Sequence, residues 1–410
     1  MKRIKLLYFL GFLALILNYG WSESELRNEL LFVEKKNDFK SQLEKKAKAK
    51  AEKKEEPEIE VKMDFSGVFV PESPEKFIQA WHYPTISQDL TGSCWAFSSV
   101  SFFESEIYRL SKRKIKLSVM YTVYWEFVEK ARRFVKMRGD SNFGRGSQAN
   151  ATMRIWKQYG VIPAEDYGMI DQEKEFYNDK IMFSEMENFL DSVKQTNQWD
   201  ESAVVETIRS ILDHHMGKPP ETIMVDGTEM TPLEYFRKIV RLHPEDYIDL
   251  LSFKKEPYFK KTEYKVCDNW WHSRDYLNVP LEDFMNVIKQ GVRKGYTVCI
   301  VGDNSEPGFY PPLDCAVIAD FDIPASLINE NARQFRFENE STSDDHAIHL
   351  VGYLEKEGKD WYLIKDSGTK SRNGKHPGYM FYREDFVKLK MMNIMVHKDL
   401  AKNLLEKSVK

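Results

Sequence analysis

Two hydrophobic periods follow one another along this chain, and their order constrains its fold more than any other feature. After Cys94 the apolar residues Phe97, Val100, Phe103, Ile107 and Leu110 recur at helical spacing, which makes a helix with Cys94 at its start. Ala149, Met153 and Trp156 suggest a second helix, closed by Gly160 and the following Pro163. Residues 170–295 also read as helical, and within them Thr231-Pro232-Leu233-Glu234 combines an N-cap, a Pro at the first helical position and a capping-box Glu. Beyond that the pattern changes. Tyr296 to Val301, His346 to Tyr353, Trp361 to Lys365, Tyr379 to Tyr382 and Asn393 to His397 are short, rich in β-branched and aromatic residues, and separated by polar or Gly/Pro segments, so they read as strands. Helices first and strands later imply an α+β architecture of two segregated layers or subdomains with a cleft between them, where sites form. No internal repeat occurs at solenoid or propeller periods.

With 410 residues the chain can bury at least one large core, and its Trp, Tyr and Phe content excludes wholesale disorder. A formal net charge of -4 is small for this size, so no global field draws the protein to nucleic acid or anionic lipid. Residues 1–24 carry a basic start, Met1-Lys2-Arg3-Ile4-Lys5, an apolar run from Leu6 to Leu17, and the small residues Gly20, Ser22 and Ser24. That is the pattern of a cleaved signal peptide and implies an exported protein, periplasmic or secreted. The run is too short to span a bilayer, apart from its use as an uncleaved anchor. Residues 25–63 are dominated by charge and read as a linker or solvated helix, with a short pro-segment as the other reading. Four cysteines, Cys94, Cys267, Cys299 and Cys315, do not make a disulfide framework if Cys94 is kept free. Neither a Cys-x-x-Cys nor a His-Glu-x-x-His occurs, so no metal and no cofactor is expected.

Chemistry concentrates around Gln88-Asp89-Leu90-Thr91-Gly92-Ser93-Cys94-Trp95-Ala96-Phe97-Ser98. A thiol at a helix N-terminus meets the positive end of the dipole and unpaired N–H groups, both of which favour the nucleophilic thiolate. Gln88, six residues upstream, could return its amide to the thiol and supply an oxyanion donor with the Cys94 N–H. A thiolate needs a partner, and Asp345-His346-Ala347-Ile348-His349-Leu350-Val351-Gly352-Tyr353 offers His346 at the start of an apolar strand. Alternation puts His349 on the other face, so the two histidines do not share a cleft. Trp361 to Lys365 is a strand ending in Asp366, whose carboxylate could fix the imidazole tautomer.

At these residues the sequence resembles the papain superfamily, and most closely its bleomycin hydrolase and aminopeptidase C branch. The motif Gln88 to Ser98 is similar to the papain-type nucleophile segment, Asp345-His346-Ala347 with Val351-Gly352-Tyr353 to the histidine strand, and Trp361 to Gly368 to the strand ending in Asn-Ser-Trp-Gly. Tyr159-Gly160-Val161-Ile162-Pro163, Thr231 to Phe236, Asp268-Asn269-Trp270 and Leu277-Asn278-Val279-Pro280-Leu281 look like segments of the bleomycin hydrolase branch. The resemblance implies a papain-like domain over 64–400, with a helical subdomain carrying the nucleophile helix, a β-barrel-like subdomain carrying the histidine, a mostly helical insertion at 170–295 and a tail at 401–410. It implies Cys94 as nucleophile, His346 as general acid/base, Asp366 as the orienting residue, Gln88 in the oxyanion hole and Gly146-Ser147 in the place of the Gly-Gly that binds substrate backbone. Thr91 stands where papain has a disulfide cysteine, Asp366 where the family has Asn, and Gly368 where it has a shielding Trp. The short, lysine-rich tail lacks the apolar character of a terminus that fills the cleft, which argues against exopeptidase action.

The expected activity is hydrolysis of peptide or protein substrates through a Cys94 thioester. A catalytically silent papain-fold protein that binds peptides or proteins is the alternative, and a thiol-dependent amidase or acyltransferase uses the same residues. Relatives in this branch are often hexameric, which leaves homo-oligomerisation open.

Overall fold

A computed structural model describes residues 30–34, 38–47, 59–168 and 176–408; residues 1–24, expected from the sequence to be a signal peptide, lie outside them. The chain begins with β1 (Leu30–Glu34), α1 (Phe39–Ala47) and β2 (Ile59–Met63), where β1 and β2 pair antiparallel. The described parts of 25–63 thus hold a helix, one of the readings expected there, between two paired strands. β2 is tied down because the Met63 N–H donates to Pro307 O at 3.0 Å and Met63 itself is buried.

After β3 (Ile78–Gln79) come α2 (Cys94–Ser111), α3 (Val119–Lys136), α4 (Ala151–Tyr159), α5 (Lys180–Thr196) and α6 (Glu201–Met216). Sequence signals set their ends. Ser118 caps α3 by accepting from the Tyr121 N–H, Asp200 caps α6 by accepting from the Ala203 N–H, and α2 stops where Lys112 turns left-handed at φ 60°. α2 is buried on nearly every side from Trp95 to Ile107, because α3 and α4 cover one flank and the main sheet the other. Each fully buried Phe or Leu in such a core contributes about 1.5–3 kcal/mol of transfer free energy.

Within the helical insertion expected at 170–295, helices fill the stretch from Leu281 to Arg293 and most of the described stretch up to Met216. Beyond it lie a hairpin of β4 (Ile223–Val225) and β5 (Thr228–Met230), then α7 (Pro232–Tyr235) with its Thr231/Glu234 capping box, running into a single π turn to Val240. β6 (Tyr247–Leu251), β7 (Lys260–Thr262) and β8 (Tyr276–Asn278) then join the main sheet. These strands are three to five residues long and β7, Lys-Lys-Thr, has no apolar residue, so they become strands through their pairing rather than through a period of their own.

α8 (Leu281–Arg293) precedes β9 (Val298–Gly302), β10 (Phe309–Tyr310), β11 (Cys315–Ala316), α9 (Glu330–Glu338), β12 (His346–Lys356), β13 (Lys359–Lys365), β14 (Tyr379–Arg383), α10 (Glu384–Lys390), β15 (Met391–His397) and α11 (Lys402–Ser408). The main sheet runs β10-β11-β14-β13-β12-β9-β15-β6-β8-β7, with β3 also paired to β12. Alternation along β12 divides two cores. Ala347 joins Cys299 and Val301 against the helical layer, while Ile348 and Leu350 face α8, α10 and α11. Ala401 and Leu404 are buried in this second core, so the tail packs on the far side of the sheet. No helix among the described residues is long and apolar enough to cross a membrane.

Candidate active site

The turn before α2 sets up the thiol. Thr91 closes it by donating both its N–H, at 3.2 Å, and its hydroxyl, at 2.8 Å, to Gln88 O. Asp89 takes a left-handed φ of 51°, tolerated by a short polar side chain, and its carboxylate accepts the Tyr177 N–H at 3.0 Å. Where papain has a disulfide cysteine, a hydroxyl thus holds the loop. Cys94 follows at the first position of α2, half-buried and free, with the first-turn N–H groups around it lacking intrahelical partners.

Opposite, β12 begins with His346 and β13 ends one residue before Asp366. Their antiparallel register sets His349 against Lys365, which carries Asp366 back beside the start of β12. His346 Nε2 lies 2.7 Å from Asp366 Oδ1. A carboxylate only accepts, so Nε2 carries the proton and Nδ1 is left for the thiol. The Gly368 N–H donates to the same carboxylate oxygen at 2.7 Å. Burial penalises both charges, yet the mutual attraction wins: His346 is pushed well above its ordinary value by Asp366 and the Cys94 thiol, and Asp366 is held below the carboxylate range by His346. A Cβ at Gly368 would meet the imidazole at 3.2 Å, so a side chain there crowds the ring directly.

Gln88 is buried and its amide orientation is determined. Nε2 donates to Thr91 O at 2.9 Å, while Oε1 accepts from the Ser367 hydroxyl at 2.8 Å. One Nε2 hydrogen remains for another acceptor. Gln88 N also donates to Ser367 O at 2.8 Å, linking the two cleft walls.

A cavity of about 500 Å³ is lined by Gln88 to Thr91, Arg145, Asp345, His346, Asp366 and Gly368, and also by Lys40 and Glu44 of α1. A larger groove of about 940 Å³, between α8, α9 and α10, is lined by no histidine; the smaller one, lined by His346, Asp366 and Gln88 though not by Cys94 itself, is where the chemistry points. Gly146 and Ser147 adjoin Arg145 but do not line the cavity. They are tied backwards to α3 instead: Ser147 Oγ donates to Glu126 at 2.6 Å, and Lys130 Nζ donates to Gly144 O at 2.6 Å and to Gly146 O. His349 is buried beneath α2 with Nδ1 2.9 Å from Ser101 Oγ, away from the cleft as alternation required.

Sequence reasoning missed Ser367, the Arg145–Asp179 ion pair at 2.6 Å that backs Gly92, and α1 over the cleft. Ser367 was within reach, being next to Asp366 in the motif; the other two depend on contacts that no local pattern carries.

Residues 29–409 match the Peptidase C1-like family. Among solved structures, PepW from Lactobacillus rhamnosis is 17% identical with a TM-score of 0.61, covering 81% of this chain and 84% of that one. A structure from a comparison of the mite allergens Blo t 1 and Der p 1 (15%, TM-score 0.38, 81% and 73% covered) and procathepsin L 3 of Tenebrio molitor (12%, TM-score 0.33, 81% and 72% covered) are more distant. No curated protein matches the chain. PepW supports the papain-like fold, and the family match extends over nearly the whole sequence: the chain belongs to the Peptidase C1-like family.

Proposed function

We propose that this protein is a cysteine peptidase in which Cys94 is the nucleophile, His346 the general acid/base, Asp366 the orienting residue and Gln88 an oxyanion donor. The observation that carries the reading is the 2.7 Å contact from His346 Nε2 to Asp366, with the Cys94 thiol raising the same imidazole. The Cys94 thiolate attacks the carbonyl carbon, and the oxyanion is received by the spare Gln88 Nε2 hydrogen and the Cys94 N–H. His346 gives its proton to the leaving amine as the C–N bond breaks, leaving a thioester. Water, deprotonated by His346, then adds to the acyl carbon and releases the acid and the thiol. Gly146 and Ser147, braced by α3, stand in this reading beside the acyl part of the substrate. The basic and apolar pattern of residues 1–24 supports export of the enzyme.

Iodoacetamide labelling with peptide mapping tests the assignment. Cys94 is expected to be alkylated well ahead of the exposed Cys267, and Cys94→Ala to lose turnover by on the order of 10⁴-fold or more, while Cys267→Ser, Cys299→Ser and Cys315→Ser retain it. Wild-type turnover in a Cys94→Ala protein freed of host peptidase would overturn the reading.

A further inference from the structure

The wall that carries Asp366 is held from behind. A short 3-10 turn, Lys370–Arg372, follows the Gly368 loop; Lys370 lines the catalytic cavity and Arg372 stands outside it. Three segments meet at the Arg372 guanidinium. Nη2 donates to the Asp366 carbonyl at 3.4 Å, and Nη1 donates to Thr85 Oγ1 at 3.2 Å and to Pro377 O at 3.3 Å. Thr85 belongs to the segment that leads into the Gln88 turn, and its own hydroxyl donates to Pro377 O at 2.9 Å. The Asp366 N–H donates to Gly378 O at 2.8 Å, and the Gly378 N–H to Ser371 O at 2.8 Å. Gly378, at φ 84°, makes room for the guanidinium, since a Cβ there would lie 2.7 Å from Nη1. Asp366 is thus clamped through its backbone, and both sides of the cleft share the clamp. Arg372 Nε is buried without a hydrogen-bond partner among the described residues, a cost that bonding alone does not explain.

Its charge supplies a reason. Asp366 places a full negative charge against His346 Nε2, which favours the imidazolium. The proposed cycle needs the ring in both forms, as acid when the amine leaves and as base when water adds. Burial opposes the Asp366 charge; His346 and the Gly368 N–H support it, followed by the Arg372 guanidinium. Burial likewise opposes the Arg372 charge, and Asp366 and Asp89 hold it. The other ionisable groups around the pair are Cys94, Asp345 and Lys370, with Lys40 and Glu44 of α1 and Arg145 and Lys180 along the same cavity. Burial keeps Tyr382, near Asp366, neutral. Of the cations, His346 and Arg372 are the two that bond to Asp366.

We propose that Arg372 is a positioning residue for the His346–Asp366 pair, clamping Asp366 across the two cleft walls and setting a positive charge against its carboxylate, so that His346 serves as base in deacylation as well as acid in acylation. This rests on the peptidase reading and adds a residue that touches neither substrate nor thiol.

The test follows kcat/KM against pH for the full chain on one fluorogenic peptide, beside the rate of Cys94 alkylation by iodoacetamide. A cation near the couple disfavours imidazolium and favours thiolate, so Arg372→Gln should move both limbs upward, by up to about one unit, and lower kcat. Arg372→Lys, which keeps the charge and loses the fork, should leave the limbs in place. In Arg372→Gln/Asp366→Asn the alkaline limb should return towards its wild-type position. Unmoved limbs in Arg372→Gln, or limbs that move as far in Arg372→Lys, would overturn the inference while leaving the peptidase reading intact. Arg372→Met is measured in parallel, and failure of both neutral variants to fold would make the residue purely structural and overturn the inference too. No turnover by the wild type would end the peptidase reading itself, and this inference with it.

Discussion

At the scale of single residues, the pair His346–Asp366 governs how the site responds to pH. In a Cys/His couple the active form is thiolate with imidazolium, so the acid limb reports forming that pair and the alkaline limb reports losing the imidazolium proton. His346 is raised well above its ordinary value, chiefly by the Asp366 charge and hydrogen bond against the cost of burial, so the alkaline limb lies high. Asp366→Asn keeps an acceptor for Nε2 but removes the charge. We expect substantial activity with the alkaline limb of kcat/KM lowered by up to about one unit, and a slower enzyme in Asp366→Ala, which also loses orientation. An unmoved alkaline limb in Asp366→Asn would separate Asp366 from the chemistry. Gln88→Ala, measured as kcat on one peptide, should cost on the order of 10²–10³-fold, the value of one oxyanion donor.

At the scale of elements, α3 supports the wall that carries Gly146. Glu126 accepts from Ser147, Arg154 and, at 2.7 Å, Trp270 Nε1, while the buried Lys130 spans two loop carbonyls. Burial lowers the Lys130 ammonium to about 8, and the nearby Glu126 and Asp268 charges hold it from falling further. Lys130→Met should therefore destabilise the fold by about 1–3 kcal/mol in urea unfolding, because it leaves the Gly144 and Gly146 carbonyls without their donor, while Glu126 keeps Arg154. A cost under about 1 kcal/mol would show that the loop does not depend on it. Such ties explain what the sequence revealed and what it hid. The start of α2 at Cys94, the His346 strand and the carboxylate after Lys365 were legible because each is fixed by local period and capping. β6, β7 and β8 were not, since three to five residues are too few to show a period, and pairing decides them: β6 with β15 and β8, and β7 with β8. Gly146 was read as substrate-binding from the resemblance alone; the sequence did not show that Asp268 also demands glycine there, since its carboxylate would lie 2.1 Å from a Cβ.

At the scale of the whole molecule, a buried acid in the middle of the sheet sets an independent pH dependence. Asp249 on β6 is raised to about 7, mainly by burial, with hydrogen bonds from Asn393 and Asn150 opposing the shift. A carboxyl whose folded value exceeds its unfolded value binds more protons in the native state, so its contribution to stability falls as pH rises from about 4 to about 7. Asp249→Asn should flatten that fall and add roughly 2–4 kcal/mol at pH 8, read from urea midpoints at several pH values. Equal pH slopes for the two proteins would place the titration elsewhere. The order of the sheet also bears on how the molecule comes into being. β15, the last strand of the described chain, lies between β9 and β6 and completes both ladders. Until residues 391–397 leave the ribosome, a nascent chain has a missing slat inside its sheet and two bare strand edges facing one another across the gap, so the sheet can close only after that late strand has been synthesised.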